Sequence, residues 1–311
     1  MLKKSDYSLI LLWFTAIVVA FLTYLILVFV SPSTARHYDY SQVMTQRDRV
    51  EGDVSTDIQL EDLVQEALNN SHEAASTDDE KLYQTICNTY KTICDKTNFT
   101  VSNLTKRQEI YYQVIVIYVL QKLSTFWVFS DYMSNITIKS KSITARGFST
   151  DTKITLDVKP MKSYNEFLQV MIHEFGHIVD LQQIIGTLTM GKDKQFTEFW
   201  ESRFSINDPS LDFYKLSRAN ENTRLNSVNY EDFVSGYGMS DTFEDFAECF
   251  NFYLNYNLIF QKLTLQSNVL KHKYDYIDQL LWGNYISDGQ AKQANFELYK
   301  RDFRPYDTTR F

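Results

Sequence analysis

The stretch YNEFLQVMIHEFGHIVDLQQII, residues 164–185, contains the motif that decides the fold of this chain. Its apolar spacing predicts a helix over the whole stretch. His173 and His177 are four positions apart, so in a helix both imidazoles lie on one face and can bind one metal ion. Glu174 follows the first histidine and can serve as general base toward a metal-bound water. The motif therefore predicts a zinc site on this helix.

A catalytic zinc site needs three protein ligands and one open position, and two histidines leave it incomplete. Gln183 occupies the position where a longer form of the motif has a third histidine, so the third ligand lies elsewhere. Glu244 and Glu248 are four positions apart on one predicted helical face. One can bind zinc, and the other can accept the free N–H of a ligating histidine. Their spacing leaves the two assignments open.

A solvated acidic helix face is the alternative interpretation of Glu244 and Glu248. The residues around them are apolar, however: Phe243, Phe246, Ala247 and Phe250. This composition predicts a packed face, and buried carboxylates need partners. The pair is therefore interpreted as part of the metal site.

Residues 164–263, about a third of the chain, resemble gluzincin zinc peptidases, namely the catalytic domain of anthrax toxin lethal factor and the Pro-Pro endopeptidases. The resemblance consists of HEFGHxxD from His173 to Asp180, and of YG, five residues and E-x-F-A-E-x-F from residue 237 to 250. It implies that Glu244 is the third ligand and that Glu248 supports a histidine, without saying which one. It also implies that Tyr237 points its hydroxyl at the reacting carbonyl. We interpret Asp180 as a structural residue.

These patterns together predict a zinc metalloendopeptidase with one Zn²⁺ per chain and a peptide or protein substrate. Glu174 would take a proton from the attacking water and deliver it to the leaving amine, while Tyr237 stabilises the oxyanion. Residues 152–158 are predicted as an edge strand that pairs with an extended peptide. Two alternatives stay open: a non-catalytic surface binding protein that contains zinc, and a zinc hydrolase of a non-peptide envelope component.

Residues 8–30, SLILLWFTAIVVAFLTYLILVFV, form an uncharged run long enough to span a bilayer. A cleaved signal peptide, giving a secreted form, is the alternative, because small residues at 33–35 resemble a cleavage site. Positive charges are nearly balanced across the run. The short lysine-bearing tail favours a cytoplasmic N-terminus and an extracellular catalytic domain. We expect a single-pass protein of a bacterial cell surface, with its oligomeric state undetermined.

The predicted fold class is α+β, a mostly helical zincin-like domain with a small sheet, preceded by one transmembrane helix. The predicted organisation is a cytoplasmic tail (1–7), a transmembrane anchor (8–30), a stalk (31–56) and a metallopeptidase domain (57–311). That domain divides into a helical part (57–130), a part with strands and the zinc site (131–263), and a C-terminal helix and tail (264–311).

Periodicity predicts further helices over residues 57–69, 78–96, 105–124, 194–204, 241–263 and 268–282, and strands around Ile136–Ile138, Ile143 and Ile154–Val158. Capping boxes start two helices, at Thr105 with Gln108 and at Ser163 with Glu166. The run YYQVIVIYVL, residues 111–120, is apolar all round, which predicts a buried core helix rather than a second membrane span.

Charge and cysteine content give no support to two other functional classes, nucleic-acid-binding proteins and zinc-finger proteins. A net charge of −8 without a Lys/Arg-rich block gives no support to nucleic-acid binding. The three cysteines, Cys87, Cys94 and Cys249, have no zinc-finger spacing. On one continuous helix, Cys87 and Cys94 would lie about 10 Å apart, too far for a disulfide. We therefore interpret all three as buried thiols, which leaves the compartment undecided.

Overall fold

The computed structural model describes residues 77–124, 135–141, 145–150, 153–181, 192–197, 203–281, 283–287 and 304–310. The predicted tail, membrane anchor, stalk and first helix (57–69) lie outside these residues. Among the described helices, none has the length and apolar character needed to cross a membrane. The described part combines helices with small sheets, which confirms the predicted α+β class.

The helices are α1 (Thr77–Thr89), α2 (Lys91–Lys96), α3 (Lys106–Ser124), α4 (Tyr164–Leu181), α5 (Ser210–Tyr214), α6 (Thr242–Asn255), α7 (Asn257–Thr264) and α8 (Asn268–Leu281). The strands are β1 (Asn98–Ser102), β2 (Asn135–Lys139), β3 (Gly147–Thr150), β4 (Lys153–Asp157), β5 (Lys192–Thr197), β6 (Arg203–Ser205), β7 (Arg218–Asn220) and β8 (Thr223–Arg224). Short 3-10 helices cover Tyr230–Asp232, Tyr237–Met239 and Thr308–Arg310.

The helix predicted over residues 78–96 is interrupted at Tyr90, which separates α1 from α2 with φ −101° and ψ 45°. Because the chain turns there, the Cα atoms of Cys87 and Cys94 lie only 5.5 Å apart, and the two residues form a disulfide. The prediction of two buried thiols is therefore wrong, since its distance assumed one continuous helix. Cys249 is free and buried, as predicted.

The main sheet has the strand order β1-β2-β4-β3. β1, β2 and β4 are parallel, and β3 runs antiparallel to β4 at one edge. The strands predicted around Ile136 and Ile154 are confirmed as β2 and β4, while Ile143 lies outside the described residues. The sequence had predicted β4 as an edge strand, and this prediction is wrong. The polar strand β3 pairs with the outer side of β4 and forms the edge instead. β1 was not predicted at all.

The core forms where α4 packs between the sheet and the helices α3 and α6. α3 is buried almost all round, from Ile110 to Leu120, and this confirms the predicted core helix. On the sheet, the alternating residues that point to the core are fully buried: Ile136, Ile138, Ile154 and Leu156. Burial of this apolar surface on both sides of α4 holds the helix that carries the histidines.

The predicted helix starts are formed. The Thr105 N–H donates to Gln108 Oε1 (3.1 Å), and the Gln108 N–H donates to Thr105 Oγ1 (3.3 Å). At α4, Ser163 Oγ accepts from the Glu166 N–H (3.1 Å). The Glu166 carboxylate bonds the Lys162 N–H (2.8 Å) in place of the predicted capping-box partner. α4 follows its predicted course as far as Leu181, beyond which lie residues outside the described part.

The helix predicted over residues 194–204 is wrong, because this region contains the antiparallel strands β5 and β6. Phe196 and Phe204 are fully buried, and the ring of each lies 5.5 Å from that of Tyr214. These tertiary contacts outweigh the local helical pattern.

The predicted helix over 241–263 is divided at Tyr256 into α6 and α7. α8 is confirmed, and Gly283 after it has the φ of +71° typical of a helix stop.

The disulfide gives a stability prediction. Replacing both Cys87 and Cys94 with serine should lower the free energy of unfolding by about 2 kcal/mol, because the bridge restricts a short loop of the unfolded chain. Urea unfolding with and without reductant measures this loss. Reductant should destabilise the wild type and leave the double variant unchanged. A wild-type midpoint that does not respond to reductant would contradict the bridge.

Candidate metal centre

The site forms where α4 and α6 approach each other closely. Gly176 lies at the contact, where a Cβ atom would be 3.1 Å from the Cα of Ala247 and 3.3 Å from Cδ1 of Phe250. Such distances are shorter than ordinary van der Waals contacts, so a side chain at Gly176 would push the helices apart. The close approach brings the histidine face of α4 against the glutamate face of α6.

Three ligand-type atoms converge at this contact. Nε2 of His173 lies 3.1 Å from Oε2 of Glu244, and Nε2 of His177 lies 3.5 Å from the same oxygen. All three residues offer an atom within 4.8 Å of the others. Ligands about 2.0–2.1 Å from a tetrahedral zinc ion are roughly 3.4 Å apart. The two distances from the histidines to Glu244 fit that geometry.

The hydrogen bonding of Glu244 also fits a metal ion. Its Oε2 is buried and, among the described residues, accepts no hydrogen bond of regular geometry. The oxygen faces two imidazole nitrogens without a regular hydrogen bond from either, and a cation at the point of convergence would satisfy all three atoms. Two imidazoles and one carboxylate form a ligand set that suits a catalytic zinc ion.

The electrostatics of the three groups favour positive charge between them. Burial acts to lower the pKa of His173, but the carboxylates of Glu244 and Glu248 outweigh burial and hold that pKa well above its ordinary value. Burial also acts to lower the pKa of His177, but Glu244 outweighs burial and raises that pKa above its ordinary value. Burial acts to raise the pKa of Glu244, but the two histidines hold it far below its usual range. Protons or a divalent cation can supply the required charge.

Glu248 supports His173 rather than His177. Its side chain is fully buried, and Oε1 lies 2.9 Å from Nδ1 of His173. This position, behind the imidazole, is suited to fix the tautomer and the plane of the ring. Among the described residues neither Nδ1 atom makes a hydrogen bond of regular geometry, but a Glu248 oxygen lies within ion-pair distance of Nδ1 of His173. The structure thus decides between the two histidines, which the sequence left open.

Glu174 is buried on the side of α4 that faces the edge strand β3. A Cβ atom on Gly147, the first residue of β3, would lie 2.2 Å from Oε1 of Glu174. The glycine therefore leaves the space that the carboxylate occupies. The charge of Glu174 also contributes to raising the pKa of His177.

Tyr237 lies beside the metal centre at the start of a short 3-10 helix. Its hydroxyl donates to Oε1 of Glu244 (2.8 Å), the oxygen that does not face the histidines. Its ring is 6.0 Å from that of His173. Burial and the adjacent Glu244 carboxylate raise the pKa of Tyr237 well above its ordinary value, so the phenol keeps its proton. Its single donor hydrogen points at the candidate ligand, so the hydroxyl must turn away from Glu244 before it can donate to another group.

Asp180 lies on the same helix, one turn beyond His177, and is buried. Its Oδ2 accepts a 2.6 Å hydrogen bond from the Tyr214 hydroxyl, which connects α4 to α5. Burial raises the pKa of Asp180 to about 7, despite the opposing hydrogen bonds of Tyr214 and Ser210. These contacts support its interpretation as a structural residue.

Residues 304–310, here called the bridging segment, belong to the site but were not predicted to do so. Thr308 donates from both its N–H and its hydroxyl to the carboxylate of Glu248. Arg146, beside β3, contacts Asp307 and Thr309 of the segment. A local signal was present: Asp307 Oδ1 accepts from the Thr309 N–H (2.9 Å), as aspartate does at helix starts. Nothing in the sequence relates this turn to the metal centre.

Comparisons with protein-family models, curated proteins and solved structures found no match to this chain. The resemblance to gluzincin peptidases therefore depends on the two sequence motifs.

The contact of Gly147 with Glu174 gives a prediction. Gly147→Ala should displace the Glu174 carboxylate and lower kcat about 100-fold, because a general base about 1 Å out of place loses most of its effect. Zinc affinity should stay within about threefold, since the metal ligands do not touch residue 147. Steady-state kinetics and a zinc competition titration measure the two effects. Ser149→Ala, on the same strand, is the control, and full activity of Gly147→Ala would contradict this placement of Glu174.

Proposed function

We propose that this chain is a zinc-dependent endopeptidase of the gluzincin type. The observation that carries the proposal is the convergence of His173, His177 and Glu244 on one point beside the buried Glu174. Structural zinc sites are usually closed and rich in thiolates, whereas this ligand set has three members and no cysteine. The arrangement supports hydrolysis rather than a purely structural role.

His173, His177 and Glu244 would hold the zinc ion. Once bound, zinc supplies Lewis acidity, which polarises a carbonyl group and makes a water more acidic. Glu174, held next to the ligands, would accept the proton of the attacking water and pass it to the leaving amine. Tyr237, whose phenol stays protonated, would donate a hydrogen bond to the oxyanion. Glu248 would keep the imidazole of His173 in one orientation.

The edge strand β3 offers a binding site for an extended peptide. The Arg146 carbonyl accepts from the Asp157 N–H (2.8 Å), so the pair between Arg146 and Asp157 is hydrogen-bonded. Residues of an antiparallel pair alternate in this respect, so Gly147 and Ser149 turn their backbone groups toward the open edge. An extended peptide can pair with these groups, and Glu174 lies close to Gly147. This proposal replaces β4 with β3 as the substrate-binding strand.

We also propose that the catalytic domain lies outside the cytoplasm, anchored by residues 8–30. The disulfide between Cys87 and Cys94 supports this location, because disulfides persist in oxidising compartments and are rare in the cytosol. The apolar run supports the proposed attachment, and the disulfide supports the proposed side of the membrane. The two observations are independent of each other.

Peptide cleavage tests the activity. The full-length chain, purified in mild detergent with one equivalent of zinc, should cleave members of a diverse peptide mixture, with new termini identified by mass spectrometry. Glu174→Gln should retain zinc and lose about 10²–10⁴-fold in rate. A chelator should abolish cleavage, and added zinc should restore it. Zinc bound at one per chain without any cleavage would contradict the peptidase and favour a non-peptide substrate or a binding role.

The same preparation distinguishes the two glutamates. Glu244→Ala should lose zinc, whereas Glu248→Ala should keep a weakened site. The reverse result would make Glu248 the zinc ligand and Glu244 the residue that supports a histidine.

The open edge of β3 predicts a specific change in KM. Ser149→Pro removes an N–H that points away from β4, so the sheet should stay intact while one hydrogen bond to the peptide is lost. We expect KM to rise about five- to tenfold, the effect of one hydrogen bond of about 1 kcal/mol. Ser149→Ala retains the N–H and should keep the wild-type KM. Equal KM values for the two variants would exclude backbone pairing at this residue.

A further inference from the structure

The bridging segment connects the elements that build the metal centre. Near the Tyr237 turn, the Gly236 N–H donates to the Pro305 carbonyl (3.0 Å) and the Tyr237 N–H to the Tyr306 carbonyl (2.6 Å). Farther along, Arg310 lies 3.1 Å from Glu166, at the start of α4. One segment thus contacts the helix that carries the histidines and the turn that carries Tyr237.

Thr308 makes the innermost contact of the segment. It is fully buried, and both of its donors bond one carboxylate: the N–H reaches Oε2 of Glu248 (2.8 Å) and the hydroxyl reaches Oε1 (2.9 Å). The Asn251 amide donates to the same hydroxyl (2.8 Å), which orients its hydrogen toward Glu248. Both oxygens of the glutamate are therefore fixed by one residue. A carboxylate held in this way has little freedom to rotate.

The fixed carboxylate in turn meets the metal centre. Oε1 of Glu248, the oxygen that accepts from the Thr308 hydroxyl, is the one 2.9 Å from Nδ1 of His173. The other ring nitrogen, Nε2, points at Oε2 of Glu244 (3.1 Å). Any rotation of the Glu248 carboxylate would therefore release the imidazole from its orientation toward the metal. Partners behind a ligating histidine commonly change metal affinity 10- to 100-fold.

We infer that Thr308 is a positioning residue of the metal centre, which acts through Glu248 to hold His173 in the orientation that binds zinc. The inference rests on the proposed function, because it needs the site to bind a metal. It assigns a role in that site to a part of the chain 60 residues beyond Glu248. It also separates the two donors of Thr308: the N–H holds Oε2, and the hydroxyl holds the oxygen that meets the histidine.

Zinc affinity of the full-length chain, measured by competition with a chromogenic chelator, tests the inference without any substrate. Thr308→Val retains the shape of the side chain and removes the hydroxyl, so we expect the Kd for zinc to rise about tenfold. Thr308→Ser restores the hydroxyl and should bring the Kd within about twofold of the wild-type value. Thr264→Val is the matched control, because among the described residues the Thr264 hydroxyl bonds only the Gln261 carbonyl of its own helix.

Three outcomes would overturn the inference. The first is wild-type zinc affinity in Thr308→Val, which would show that the Thr308 hydroxyl does not hold the metal site. The second is an equal loss of affinity in Thr308→Val and Thr308→Ser, which would show that the hydroxyl is not the determinant. The third is a wild-type chain that binds no zinc, which would overturn the proposed function as well.

A second variant covers the case in which Thr308→Val does not fold, as judged by circular dichroism. Asn251→Ala leaves Thr308 in place and removes the amide that directs its hydroxyl. We expect zinc affinity to fall about threefold, a smaller effect than that of removing the hydroxyl itself. Unchanged affinity in a folded Asn251→Ala chain would overturn the inference in that case.

Discussion

The close contact between α4 and α6 is the constraint on which the rest of the site depends. Gly176 has no side chain, so the backbone of Ala247 approaches to a distance that any larger residue would prevent. One turn of each helix then places two histidines against two glutamates. The separation of the helices limits the distances between the candidate ligand atoms, because the histidines lie on α4 and the glutamates on α6. Gly176, within the candidate metal-binding motif, therefore has a geometric role in the packing of the two helices.

α6 is held in this position from its other side by buried charge. Lys273 of α8 is fully buried, and its Nζ lies 2.6 Å from Oδ2 of Asp245, the residue after Glu244. The Ser217 hydroxyl donates to the same oxygen (3.0 Å). Buried ion pairs gain little net stability, but breaking one leaves an uncompensated charge. The pair thus favours one rotation of α6, the rotation in which Glu244 and Glu248 face the histidines.

The most local parts of the structure could be predicted from the sequence, and the long-range parts could not. The capping box at Thr105 and the core helix α3 depend on residues a few positions apart, and both are formed as predicted. The strands β5 and β6 have a helical pattern, and only the burial of Phe196 and Phe204 against Tyr214 makes them strands. The disulfide was missed for a related reason, because a turn at one residue changes distances that a straight helix would set.

The sequence by itself determined the candidate ligands, because residues four apart on a helix share a face wherever the helix lies. It determined that His173 and His177 form one pair, and Glu244 and Glu248 another. Only the tertiary structure decided that Glu248 meets His173, that β3 rather than β4 lies at the edge of the described sheet, and that Thr308 contacts Glu248. These contacts join residues far apart in the chain, and their distances follow from helix packing rather than from any local spacing.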